Sequence, residues 1–205
     1  MGPTPVPRKV PLVRLRAFLA AGVAGAAVVT AAVALAPAAS AQANNESFVT
    51  LVDVSAQRAL IADDVAAFKF NTGGSIEDPA REQVLLDSVA DQSTQLGVDP
   101  AVAQAIFRDE IDGNKIVQYG LFDLWTAHPE LTPTEWPDLT TVIRPELDKI
   151  TTELMDQIKA TSDLQVAKNC GEQLDAATNV VEQRRNLDRL HSQALHHALA
   201  RVCHS

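Results

Sequence analysis

Arg58 and Lys69 stand eleven residues apart in the stretch RALIADDVAAFK. In a helix at about 100° per residue they project within about 20° of each other. Leu51, Val54, Ile61, Ala62 and Val65 fall on the same face, and Asp53, Asp63 and Asp64 on the other. Two cations thus lie inside the apolar stripe of an amphipathic helix. The pattern recurs further along the chain. Arg81 shares a face with Val84, Leu85 and Ser88, and Arg144 aligns with Leu147, Thr151, Met155 and Ile158. Asn114 and Gln118, one turn apart, share a face with Phe107, Ile111, Leu121, Phe122 and Trp125. A single buried arginine usually pairs with a nearby acid, for which Glu77, Asp78 and Glu82 are available, or it extends its head to water. Four cations and two amides on four helices call for more negative charge than the inward-facing acids of the pattern supply. A small dianion fits, above all a dicarboxylate, because guanidinium and carboxylate pair through two parallel hydrogen bonds. No Ser or Cys nucleophile lies near a His in a recognisable motif, and no glycine-rich phosphate loop occurs. Fixed donors of this kind suit a reaction driven by positioning and electrostatics.

The elements that must position these residues are helical. Glycine and aromatic residues are few, and helix-favouring residues dominate. No run shows the period of a strand. A first helix is expected from about Glu46 to Asn71, stopped by TGGS. Asp78 caps and Pro79 opens a second helix to about Leu96, and Asp99 with Pro100 repeats the device for a third to about Thr126. Residues 128–138, HPELTPTEWPD, form the long loop. A fourth helix covers about Thr140 to Ala160, with its start disturbed by Pro145. The expected fold is all-α, a bundle of five or six helices ending in a helical hairpin.

That hairpin follows from the cysteines. Arg8, Lys9, Arg14 and Arg16, then an apolar run from Ala17 to Ala36, then PAASAQA, read as a secretory signal peptide over residues 1–41, cleaved after Ala41 or Ala43. A retained anchor is the alternative for a run of this length. Residues 42–205 then form one domain, exported to the periplasm or beyond. Removing those four cations takes the formal net charge from −9 to −13, which disfavours nucleic acid and anionic membranes as partners. No stable membrane association is expected after cleavage. Export favours a disulfide between Cys170 and Cys203, the only two cysteines. One straight helix would hold them about 50 Å apart, whereas a disulfide needs Cα atoms within about 7 Å. The chain must therefore turn back near Asn186–Leu187, where Asn186 and Asp188 can cap the two arms. His191, His196, His197 and His204 are expected on a solvated face, and no metal site is expected.

RALIADDVAAFK, IEDPARE and IDGNKIVQYG together resemble the all-helical chorismate mutases. The signal peptide, the stretch IRPELD and the two C-terminal cysteines look like their secreted subclass. The resemblance covers about Leu51 to Cys203. It implies an isomerase that rearranges chorismate to prephenate without cofactor or metal. By the same resemblance, Arg58 and Arg144 hold the substrate carboxylates and Arg81 reinforces them. Lys69 and Gln118 donate to the ether oxygen, Glu82 accepts from the ring hydroxyl with Asp78 beside it, Asn114 positions the carboxylate-bearing side chain, and Leu85 is pocket wall. Arg144 matches an arginine that shorter members take from a partner subunit, so each site lies inside one chain, in what the family suggests is a homodimer. Gln118 donates at any pH where some members carry a Glu, so activity should be flat from mildly acidic to neutral conditions. No strong feedback by aromatic amino acids is expected. The alternatives are an isochorismate-pyruvate lyase on the same scaffold and a non-catalytic secreted protein that binds an anionic metabolite.

Overall fold

A computed structural model describes the backbone of residues 36–204, with side chains from Phe48 onward. The expected signal peptide lies largely outside the described residues. Among the described residues there is no strand, and no helix is long and apolar enough to cross a membrane.

The helices are α1 (Ala36–Leu60), α2 (Ala62–Thr72), α3 (Pro79–Leu96), α4 (Pro100–Ala127), α5 (Arg144–Ala160), the short α6 (Ser162–Gln165), α7 (Cys170–Arg185) and α8 (Arg189–Ala198). The single helix expected over 46–71 is thus two, and its first part begins ten residues early, with Pro37 in its opening turn. The interruption is confined to Ile61, where the ladder continues from Ile61 N to Gln57 O and from Val65 N to Ile61 O. Beside it, Asn114 Nδ2 donates to the Arg58 carbonyl at 3.0 Å. A side chain inserted at the ladder is a known cause of such breaks.

Asp78 caps α3 by accepting from Arg81 N, and Asp99 caps α4 by accepting from Ala101 N; each is followed by proline. Helix α2 ends where Gly73, at φ 71°, takes the left-handed conformation that a side chain would strain. The start of α5 differs from expectation. Asp138 accepts from Thr140 N and Thr141 N, residues 139–143 form one wide π turn, and only then does α5 begin. Pro145 lacks an N–H and its ring crowds the preceding turn. The wider turn carries the chain into the first turn of α5, where proline is tolerated.

Helices α1 and α4 form the centre. α1 packs on α7, α5, α8 and α4, while α4 packs on α8, α3 and α2. Phe48, Leu51, Val52, Ile106, Phe107, Leu154, Ile158 and Leu195 belong to one buried cluster between them. Each fully buried side chain of this size contributes about 1.5–3 kcal/mol. Gly113 lets α8 approach α4: a Cβ there would lie 2.8 Å from the Ala194 carbonyl oxygen. The hairpin turns at Asn186, at φ 49°, with Asp188 capping α8, and Cys170–Cys203 closes its open end with Cα atoms 5.8 Å apart.

Candidate active site

A cavity of about 130 Å³ opens where α1, α2, α3, α4 and α5 meet. Arg58, Lys69, Asp78, Arg81, Glu82, Leu85, Asn114, Gln118 and Arg144 all line it. Each helix delivers its residues through the periodicity that places them on an inward face. Val65, Ile76, Ile111, Leu139 and Leu147 supply apolar wall.

Arg58 is buried and 5% exposed. Its Nη1 donates to Thr151 Oγ1 at 3.2 Å, and its guanidinium carbon lies 5.8 Å from the centre of the Phe107 ring. Its Nε lies 3.8 Å from Glu110 Oε2, an ion pair longer than a hydrogen bond, so Nε–H has no acceptor among the described residues. Burial weakens its hold on its proton, and Glu110 and Asp148 oppose that. Arg144 is half-buried at the first position of α5 and makes no ion pair among the described residues. Arg81 is more exposed and reaches Asp148 Oδ1 at 3.4 Å.

Lys69 Nζ donates to the Ile76 carbonyl at 2.9 Å, which leaves two hydrogens for a ligand. Burial lowers its pKa, and Asp78, Glu77 and Glu82 limit the fall. Gln118 Nε2 donates to Asn114 Oδ1 at 2.7 Å, and its second hydrogen remains free. The buried Gln118 Oε1 has no partner among the described residues.

The acids differ from the sequence expectation of a core with few of them. Glu82 is held from two sides, Oε2 by Arg108 Nη1 at 2.6 Å and Oε1 by Lys115 Nζ at 2.9 Å. Burial raises its pKa, but those two cations outweigh it and hold the carboxyl below its usual range. Asp78 spends one oxygen on the α3 cap. Behind Arg58, Glu110 is fully buried, accepts from Ser55 Oγ at 2.6 Å, and is pushed by burial up to about 7. Lys115 and Glu110 were not singled out from the sequence. Both were findable: Lys115 precedes Gln118 by three residues and Glu110 precedes Asn114 by four, so each shares its inward face.

The histidines also depart from expectation in one case. His191 is buried between Asp63 Oδ1 at 2.9 Å and Asp188 Oδ1 at 2.8 Å rather than on a solvated face. It lies on α8, away from the cavity lining. Its partners sit on α2 and at the α8 cap, a pairing that local periodicity does not display.

The sequence and the fold have relatives. The family described as chorismate mutase type II matches residues 49–119. A protein of Mycolicibacterium smegmatis named secreted chorismate mutase is 34% identical over 155 residues, which is 76% of this chain and 85% of the relative. One of the same name from Mycobacterium tuberculosis is 33% identical over 153 residues, 75% of this chain and 76% of the relative. The crystal structure of a chorismate mutase from Burkholderia phymatum superposes with a TM-score of 0.77 at 33% identity, covering 80% of this chain and 99% of that one. On the match to these relatives across most of their length, the chain belongs to the chorismate mutase family.

Proposed function

We propose that the protein is a secreted chorismate mutase that converts chorismate to prephenate. The observation that carries this reading is the convergence of Arg58, Lys69, Arg81, Arg144, Asn114 and Gln118 on one cavity, where Lys69 Nζ and Gln118 Nε2 keep hydrogens unused. The names of the relatives favour the mutase over the related lyase.

The reaction is intramolecular: the ether C–O bond breaks while a C–C bond forms between the enolpyruvyl carbon and the ring, with no atom gained or lost. The chain therefore needs no nucleophile. Arg58 and Arg144 bind the two carboxylates, with Arg81 reinforcing them, and Asn114 orients the side chain that carries the second. Glu82, kept ionised by Lys115 and Arg108, accepts from the ring hydroxyl beside Asp78. Leu85 closes the wall. Holding the compact conformer removes orientational entropy before the barrier. Lys69 and Gln118 donate to the ether oxygen, where negative charge builds as the bond breaks, so their hydrogen bonds strengthen in the transition state.

A signal peptide over residues 1–41, a single domain over 42–205 and a homodimer complete the proposal. The relatives' names support export. The presence of the whole donor set in one chain supports sites that need no partner subunit. The decisive experiment incubates the purified protein with chorismate, follows loss of its absorbance and identifies the product. Prephenate formation is expected, and unchanged chorismate defeats the reading. Mass spectrometry of exported protein fixes the processing site, and sedimentation fixes the oligomer.

A further inference from the structure

Glu110 lies behind Arg58 and outside the cavity lining, and it is 2% exposed. From α1 it faces Ser55, which donates to Oε1 at 2.6 Å, and Arg58, whose Nε is 3.8 Å from Oε2. On its own helix the neighbouring charge is Asp109, itself bound by Arg201 of the C-terminal segment. From α5 and α3, Asp148 and Arg81 act on Arg58 rather than on Glu110. Arg58 is therefore the cation that compensates Glu110, and it is shared with the cavity.

A ligand carboxylate on the cavity side of Arg58 brings a second anion to that guanidinium. Two carboxylates on one cation disfavour each other's ionisation. A carboxylate buried without full compensation costs several kcal/mol, or it takes up a proton. Of the two, the acid inside the dry core yields first. We propose that Glu110 is a positioning residue for Arg58 that takes a solvent proton when a dicarboxylate binds, so that affinity for the ligand depends on pH. The inference rests on the reading that Arg58 holds a substrate carboxylate. The balance is simple: the Glu110 carboxylate and one proton from buffer give the neutral acid, and no bond of the ligand changes. The Ser55 hydroxyl can turn to accept from the new O–H.

Burial already pushes Glu110 up to about 7, against the opposing charge of Arg58. Ligand binding raises it further. Well below 7 the acid is protonated before the ligand arrives and binding takes up nothing. As pH rises through 7 the uptake grows, and the dissociation constant increases by up to about tenfold per pH unit. Activity at saturating substrate can still be flat from mildly acidic to neutral conditions.

The test is calorimetry of prephenate, a dicarboxylate, binding to the purified protein in buffers of differing ionisation enthalpy. At about pH 5.5, 7 and 8 the expected uptake is close to zero, about half a proton and close to one. Glu110→Gln should bind with no buffer dependence at any of the three. Ser55→Ala removes a bond that favours the ionised form, so the uptake window should move to higher pH; it carries the test if Glu110→Gln does not fold. Buffer-independent binding by the wild type at pH 7 and 8 overturns the inference. Uptake that survives in Glu110→Gln overturns it as well, as does an unmoved window in Ser55→Ala. Chorismate turnover by the same preparation keeps these failures separate from failure of the mutase reading. Without turnover that reading falls, and the inference falls with it.

Discussion

Arg185 and Arg58 are both guanidiniums drawn toward carboxylates, yet their surroundings end differently. Arg185 gives Nε and Nη2 to the two oxygens of Asp53 at 2.6 and 2.7 Å. Arg201 makes the same two-pronged pair with Asp109, and His191 is held between two aspartates. All three cations belong to α7, α8 and the segment after it, which Cys170–Cys203 ties together. At the cavity Glu82 is closed by Arg108 and Lys115, but two of the arginines are less completely bonded. Arg58 makes one side-chain hydrogen bond and leaves Nε without an acceptor, and Arg144 makes no ion pair among the described residues. The difference separates charge that closes on the protein from charge held ready for something else. Closed pairs order long-range contacts, whereas open donors in a desolvated cavity are prepared for charge that arrives with a ligand.

Substitutions on the two sides should therefore fail differently. Lys69→Ala is expected to lower kcat/KM by about 10²–10⁴ with little change in the melting temperature, read by chorismate absorbance and circular dichroism. Arg185→Ala should do the reverse, leaving kcat/KM within about twofold and lowering stability by about 1 kcal/mol, since its pair is partly exposed. Equal loss of activity in both would erase the distinction.

Next in size is the clamp. Cys170 and Cys203 are 33 residues apart, and closing such a loop stabilises by about 3–4 kcal/mol. Reduction should lower the unfolding free energy from denaturant titration by that amount while the folded protein keeps its activity at low temperature.

His191 should give a smaller and pH-dependent effect. Asp63 raises its pKa against the cost of burial, with Asp188 adding to the rise, up to about 9 from 6.5. A raised value means the stabilisation is complete below 6.5 and is lost as pH climbs through 9. A contribution of about 1–2 kcal/mol is expected, discounted because both aspartates are solvated. Melting curves should decline across that range in the wild type and lose the slope in His191→Gln.

The smallest effect sharpens the cavity side. Asp148 occupies Arg81 at 3.4 Å and is exposed, so a ligand carboxylate must compete with it. Asp148→Asn should lower KM by about two- to fivefold with kcat unchanged. A higher KM would show that Asp148 orients Arg81 instead.

Particular residues mark how much could be read from the chain. Asp78–Pro79 and Asp99–Pro100 located two helix starts, because a cap followed by proline satisfies local backbone needs. The return of the hairpin followed from the cysteine spacing. Arg58, Lys69, Arg81, Asn114, Gln118 and Arg144 stood out because cations and amides interrupt apolar stripes, which is a local pattern, whereas Asp78, Glu82 and Leu85 came from the family resemblance. The π turn at 139–143 was missed: Pro145 signals trouble at a helix start but not how the preceding turn widens to accommodate it. Glu110 was missed although its spacing of four from Asn114 put it on the inward face, because its partners Ser55 and Arg58 come from another helix.

The sequence by itself determined the helices, their inward faces and the kinds of donor those faces carry, since each depends on neighbours within a few turns. Only the tertiary structure decided which charges are closed and which stay open. Arg185 meets Asp53 across 132 residues and Arg201 meets Asp109 across 92. Glu110 lies behind Arg58, 52 positions earlier in the chain. Charge pairing falls off steeply with distance in space and takes no account of distance along the chain. The fold alone therefore separates a clamp from a waiting site.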